Sequence, residues 1–500
     1  MKKILLVSVA LQDVLNTAML RREGIVKPDY RTLESLANSR LQIGMEWVER
    51  YGADYLMQIA IQAMTPVERT GARISSEEAI NDARVLHMLL RMNYGAYMFY
   101  GGDEVFVPLF DRIAEALSVV DVWDTGPNSD YVALLHEYLS SVIADNHFAI
   151  CSRVLGAPEN IAAGYTHLGT TADFFVGEDV FDRSENGFRC RASGIYVTGV
   201  VGHKIDDVFR LTLNSEGEFA YMPVIVVPGR SSLQSYPLTL LYEGGTNEMV
   251  AVLQRYESSR RDAQAYPSLT RIDGFPVVSI SFMSFYPNME SARQFFSYVE
   301  ELRDESVVIV DIRSNMGGNN LLSAQWLHRL IGEVVPTNSI ILQLGNRQQT
   351  LDAFASVPAD QPHYRPLADF MTYHPTTPLG DAHFVWNYTP RRIIPTDKLI
   401  ILLTDRYTMS AGEGFVDFAL SMENTLVIGQ NTAGCFHKIA GTAHFLPHSG
   451  IPVHFGAGVV FHQDNLFAEG IGFEPDVWVN GDALQAVLAM LSRNIERVPS

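Results

Sequence analysis

LIILLTDRYTMSAGEGFVDFAL, Leu399–Leu420, sets a short run of purely apolar residues directly before a stretch with helical spacing, and the two meet at Ser410. Leu399–Leu403 has strand length and no polar face, the mark of a strand buried on both sides. Gly412–Met422 carries its apolar residues at intervals of three and four, which predicts a helix. A serine at such a junction is most often an N-cap, its hydroxyl satisfying an early helix amide. The same junction would also hold a hydroxyl at the carboxyl edge of a sheet, where free helix amides can stabilise a developing anion. The local sequence supports both readings, and partners elsewhere in the chain must decide.

Outward from this stretch, the pattern repeats. PVVSISF (276–282), a helix near 291–303, SVVIVDI (306–312), a helix near 321–331, LIILL, the Ser410 helix and TLVIGQ (425–430) alternate strand and helix, the order of a mainly parallel sheet covered by helices. Upstream, 169–271 is cut by glycine and proline into short runs such as GIYVTGVVG (194–202), YMPVIVVPG (221–229) and PLTLLYEGG (237–245). Further upstream, amphipathic stretches at 76–93, 105–117 and 130–143 predict helices. The expected layout is an α-helical N-terminal region (1–160), a small β-rich middle domain (161–271) and an α/β core (272–500).

Composition narrows the chemistry. Of 500 residues, 47% are hydrophobic and 19% charged, which is globular composition and too much chain for one core. With 57 acidic residues against 37 Lys plus Arg, the formal charge of −20 repels phosphate backbones, so nucleic acid is not an expected partner. Cys151, Cys190 and Cys435 are too few for a disulfide framework, and no metal-ligand spacing accompanies them. The opening MKKILLVSVALQDVLNTAML has an apolar stretch broken by Gln12 and Asp13, a weak signal that leaves cytoplasmic and exported locations open. Nothing later reaches the roughly twenty apolar residues of a membrane span.

Four segments carry chemistry. After the strand SVVIVDI comes DIRSNMGG (Asp311–Gly318), whose paired glycines let backbone approach a ligand and leave amides available. No GK[ST] follows, which excludes a P-loop, and no GxGxxG is present for a dinucleotide. YTMSAGE (Tyr407–Glu413), VIGQNTAG (Val427–Gly434) and EGIGFEPDV (Glu469–Val477) follow in that order.

Together, DIRSNMGG, YTMSAGE, VIGQNTAG and EGIGFEPDV resemble the ordered motifs of the carboxyl-terminal processing and tricorn-type serine peptidases, over about Gly274–Val479. The resemblance implies a crotonase-like ββα catalytic core, Ser410 as nucleophile, an oxyanion hole from the amides of Ala411 and of Gly317 or Gly318, a peptide or protein substrate, and no cofactor or metal. Many members place a lysine base directly after the T-x-G turn, where this chain has Cys435; Lys438 lies three residues further on. The tricorn-type branch uses a histidine from the helical region and a distant glutamate. SVIADNHFAI (Ser141–Ile150) resembles that histidine segment, which makes His147 the expected base, Asn146 its neighbour in the network, and Glu469 the supporting carboxylate. Asp311 and Arg313 are open to loop bracing or substrate contact, and Glu413 is expected as a first-turn acid favoured by the helix dipole. His444, His448, His454 and His462 are assigned no chemistry. The expected function is peptide hydrolysis through an acyl-enzyme on Ser410. The alternatives are a non-catalytic protein binding apolar ligands or peptides on the same fold and, last, an esterase of the G-x-S-x-G type, in which Thr408 occupies the first glycine position.

Overall fold

The computed structural model describes residues 6–22, 73–151, 166–167, 172–229, 231–242, 247–257, 260–261, 266–283, 289–335, 339–343, 384–386, 392–436, 443–456, 458–462 and 466–496. The fold mixes helix and sheet. At its centre, strands Phe275–Ser279, Val307–Asp311, Leu399–Thr404, Thr425–Gly429 and Val477–Trp478 run parallel in that spatial order, with Ser268–Ile272 antiparallel at the edge. Val307–Asp311, Leu399–Thr404 and Thr425–Gly429 are buried at every position. The alternation of side chains along a strand explains why. Val308, Val310, Ile400, Leu402 and Val427 face Phe295, Trp326 and Phe415 from the helices Met289–Leu302, Asn320–Ile331 and Ala411–Ala419. Val307, Ile309, Leu399, Ile401, Leu403, Leu426 and Ile428 face the opposite way, onto Leu11 and Leu15 of helix Val9–Arg22 and Val487 and Leu491 of helix Ala483–Asn494. Each such side chain contributes about 1.5–3 kcal/mol by leaving water, which is why polar residues are confined to the strand ends at Asp311, Thr404 and Thr425.

Pairing joins segments that are far apart in the chain. Leu6–Val7 pairs with Ile495–Glu496, and helix Val9–Arg22 packs on the parallel sheet, away from the other N-terminal helices. The sheet also continues into the middle region, because Thr212 pairs in parallel with Trp478. Beyond it, seven of the eight described strands between Asp173 and Arg255 pair one beside the next, out of chain order, and Tyr221↔Phe181 closes them into a ring around Phe175, Phe188, Phe209 and Leu240. Closure removes the sheet edges that seven short strands would otherwise expose.

Helices Ser76–Asn93, Gly102–Leu117 and Asp130–Ser140 occur where the apolar spacing predicts helix. Ser75 and Ser129 cap the first and third, and Glu78 completes a capping box with Ser75. Their shared core of Leu86, Leu90, Phe106, Ile113, Tyr131 and Leu135 also takes in Leu446, Ile451, Val453 and Phe455, so this bundle sits on a segment from the far end of the chain. Ala149–Ile150 is built into the same contact, pairing with Pro452–His454. No helix among the described residues is long and apolar enough to cross a membrane.

Candidate active site

Three neighbouring parallel strands end at one edge and deliver three connections there: the loop after Val307–Asp311, the turn after Leu399–Thr404 and the turn after Thr425–Gly429. Ser410 closes the middle one, at φ 54° and ψ −116°, a region that non-glycine residues enter only under constraint. The constraint is visible. Met409 N–H donates to Asn315 O at 2.9 Å, and Thr408 Oγ1 donates to Ile312 O at 2.9 Å. Buried Asp405 accepts Ser314 N–H at 2.8 Å and its hydroxyl at 2.9 Å, so the serine turn and the glycine loop are laced together.

The helical bundle supplies the facing group. Asp145, fully buried, accepts the Tyr94 hydroxyl on one oxygen at 2.7 Å and His147 N–H on the other at 2.8 Å. This is an Asx turn, which bends the chain just before the strand Ala149–Ile150. His147 Nε2 thereby lies 3.0 Å from Ser410 Oγ, across 263 residues of sequence. Asn146 Nδ2 donates to Gly434 O at 3.0 Å and fastens the same segment to the 432–436 turn. Cys435 Sγ lies 3.6 Å from His147 Nε2 and 3.7 Å from Nδ1. A sulfur so nearly equidistant from both nitrogens does not select a tautomer.

Glu469 Oε2 accepts Phe436 N–H at 3.3 Å, and the adjacent Gly470 N–H donates to Gly434 O at 2.8 Å. The glutamate is therefore on the turn that carries Cys435. Lys438 lies outside the described residues. The glycine pair divides in two. Gly317 N–H donates to Asn315 Oδ1 at 2.9 Å, which occupies it, whereas Gly318 N–H has no acceptor among the described residues. Ala411 N–H, at the first position of its helix, has none there either.

Gly317 packs on the serine: a Cβ there would stand 2.6 Å from Ser410 Cβ and 3.0 Å from Oγ, at a φ of +92° that disfavours any side chain. A Cβ at Gly318 would meet Met283 O at 1.9 Å. Gly317→Ala is thus expected to displace the serine side chain and lower kcat by about 10²-fold, the scale of a misplaced reacting group. Steady-state kinetics beside a melting curve checks this; unchanged kcat in a folded variant would mean the loop does not govern the serine.

Glu413 is the first-turn acid that the sequence predicts, but its partners beyond the helix were not anticipated. It is fully buried, and its carboxylate accepts four bonds: Ser410 N–H at 3.0 Å, Thr432 Oγ1–H at 2.6 Å, Gly434 N–H at 2.7 Å and Cys435 N–H at 2.8 Å. Burial pushes its pKa up to about 7 against the pull of these donors. Asp145 was also overlooked, although the D-x-H spacing that forms an Asx turn stands in the sequence. Asp311 and Arg313 form a two-bond ion pair at 2.9 and 2.7 Å, and Arg313 reaches Asp482, the cap of the last helix, at 2.8 Å. Their described contacts brace the loop. His444 is buried in a stack on Phe455, and burial lowers its pKa to about 4. Among the described residues no group of three or more His, Cys, Asp or Glu could hold a metal ion.

Residues 277–479 match the model of peptidase family S41, a span that contains every core motif named above. Among solved structures, mature CPAF is 13% identical, with 84% of this chain and 95% of that chain covered at a TM-score of 0.41. The photosystem II D1 C-terminal processing protease is 14% identical, with 84% and 97% covered at 0.36, and the tricorn protease 12% identical, with 84% and 37% covered at 0.35. No curated protein matches. The segment that holds Ser410 and its three strand-end connections is thus similar to peptidase family S41, and the match identifies a serine-type peptidase.

Proposed function

We propose that the chain cleaves peptide bonds through an acyl-enzyme on Ser410, with His147 as general base, on a crotonase-like ββα core. The 3.0 Å approach of His147 Nε2 to Ser410 Oγ carries this reading. Oγ attacks the peptide carbonyl carbon while Nε2 takes its proton. The C–N bond then breaks, and the nitrogen leaves with the proton that Nε2 returns. Water attacks the ester carbonyl with His147 again as base, which frees the carboxylate product and restores the serine.

The amides of Ala411 and Gly318 are the oxyanion donors in this scheme: both are without an acceptor among the described residues, and both border the serine turn or the loop laced to it. Asn146 holds the His147 segment against Gly434, and Glu469 orders the turn beside the imidazole. The histidine mechanism is favoured over a Ser/Lys dyad because Cys435 occupies the position directly after the T-x-G turn. The substrate is a peptide or protein.

Labelling with a fluorophosphonate probe followed by peptide mass mapping tests the reading. The adduct is expected on Ser410 and absent from Ser410→Ala. An unlabelled wild type that also leaves peptides intact would overturn it and favour the non-catalytic binding protein.

A further inference from the structure

The 432–436 turn is where the site converges. Gly434 O accepts Asn146 Nδ2 and Gly470 N–H, Cys435 Sγ lies against His147, and Phe436 N–H meets Glu469. Ser410 stands on a different connection, from a neighbouring strand. Glu413 hydrogen-bonds the backbone of both, taking Ser410 N–H on one side and Thr432, Gly434 and Cys435 on the other.

We propose that Glu413 is a positioning residue: one buried carboxylate ties the nucleophile's backbone to the turn that seats the base, and so sets the Ser410–His147 distance. The proposal rests on the reading above for its catalytic consequence and on geometry alone for the tie. Two features make the tie demanding. Ser410 is held at φ 54°, so a lost restraint lets its backbone relax toward ordinary angles and carry Oγ away from Nε2. All four contacts are donors, and the ionised carboxylate accepts from all of them without presenting a donor of its own. An amide of the same shape would turn its NH2 toward at least one of them and leave that donor unsatisfied. A carboxylate at a helix start needs no such network to satisfy the dipole; three bonds to a turn 19–22 residues away go beyond it.

The experiment compares Glu413→Gln with wild type by three readouts: fluorophosphonate labelling rate at Ser410, kcat and KM on a peptide substrate, and amide hydrogen exchange over 406–416 and 430–436. Labelling and kcat are expected to fall about 100-fold with KM little changed, and exchange to rise in both segments together while the parallel strands stay protected. A merely structural glutamate would lower the melting temperature without this joint loosening or the selective loss of kcat. Wild-type labelling, or unchanged exchange in both segments, would overturn the proposal. Joint loosening in a chain whose wild type proves unreactive to the probe would uphold the tie and refute the peptidase mechanism instead. Should Glu413→Gln fail to fold, Glu413→Asp keeps the charge but withdraws it by one methylene. A slowed, folded Asp variant then supports the tie, and one that labels like wild type overturns it.

Discussion

Ser410→Ala is expected to fold like the wild type and to lose kcat by a factor on the order of 10⁶, the scale found when one member of a serine catalytic unit is removed. Ser410 Oγ is the attacking atom of the proposed reaction, and alanine offers no atom in its place. If the residue were only a cap, the same change would cost about 0.5–2 kcal/mol of stability and leave turnover intact. A second substitution adds an independent check. At φ 54° and ψ −116° a Cβ is strained by about 1–3 kcal/mol, whereas glycine accepts the angles and costs about 0.5–1 kcal/mol in chain entropy. Ser410→Gly should therefore be as inactive as Ser410→Ala but more resistant to urea. A glycine variant less stable than the alanine one would mean that the turn stores no strain.

His147→Ala is expected to cost nearly as much as Ser410→Ala, and the double variant no more than either, because the two act as one unit. Only the neutral imidazole can accept the serine proton. In the wild type kcat/KM should therefore rise as pH increases and the imidazole loses its proton, and His147→Ala should lose that limb. Glu413 titrates close by, since burial pushes it up from 4.5 to about 7. Its sign on stability is opposite. Between those values the folded chain holds a proton that the unfolded chain has released, so this group favours folding at low pH and the advantage is lost as pH rises through about 7. Activity and the Glu413 contribution to stability should thus move in opposite directions across that window, and melting curves of Glu413→Gln against wild type should differ in slope there. If His147→Ala retains turnover and its acid limb, the base is another group.

The elements were largely legible because their causes are local. Short β-branched or apolar runs such as VVIVD and LIILL have strand length and fit strands covered on both faces, and helical spacing with Ser75 and Ser129 as caps marks the bundle. The motifs around Ser410 and the glycine loop were equally plain, since each lies in one short stretch. What sequence did not contain was the choice among equivalent amides and acids. Gly317 and Gly318 are identical as letters; only the position of Asn315 Oδ1 takes one N–H and leaves the other. Glu413 carries the ordinary pattern of a first-turn acid, and its partners come from a turn that approaches only when the neighbouring strand pairs. Sequence alone determined the core strands Val307–Asp311, Leu399–Thr404 and Thr425–Gly429, the helices between them and the residue types at their junctions, because period and composition act within a few residues. Tertiary structure decided that His147 meets Ser410, because Ala149–Ile150 pairs with Pro452–His454, and that the sheet runs on into the closed ring through Thr212 and Trp478. The reason is the same in both: an unpaired strand edge or buried polar group must find its partner wherever in the chain that partner lies.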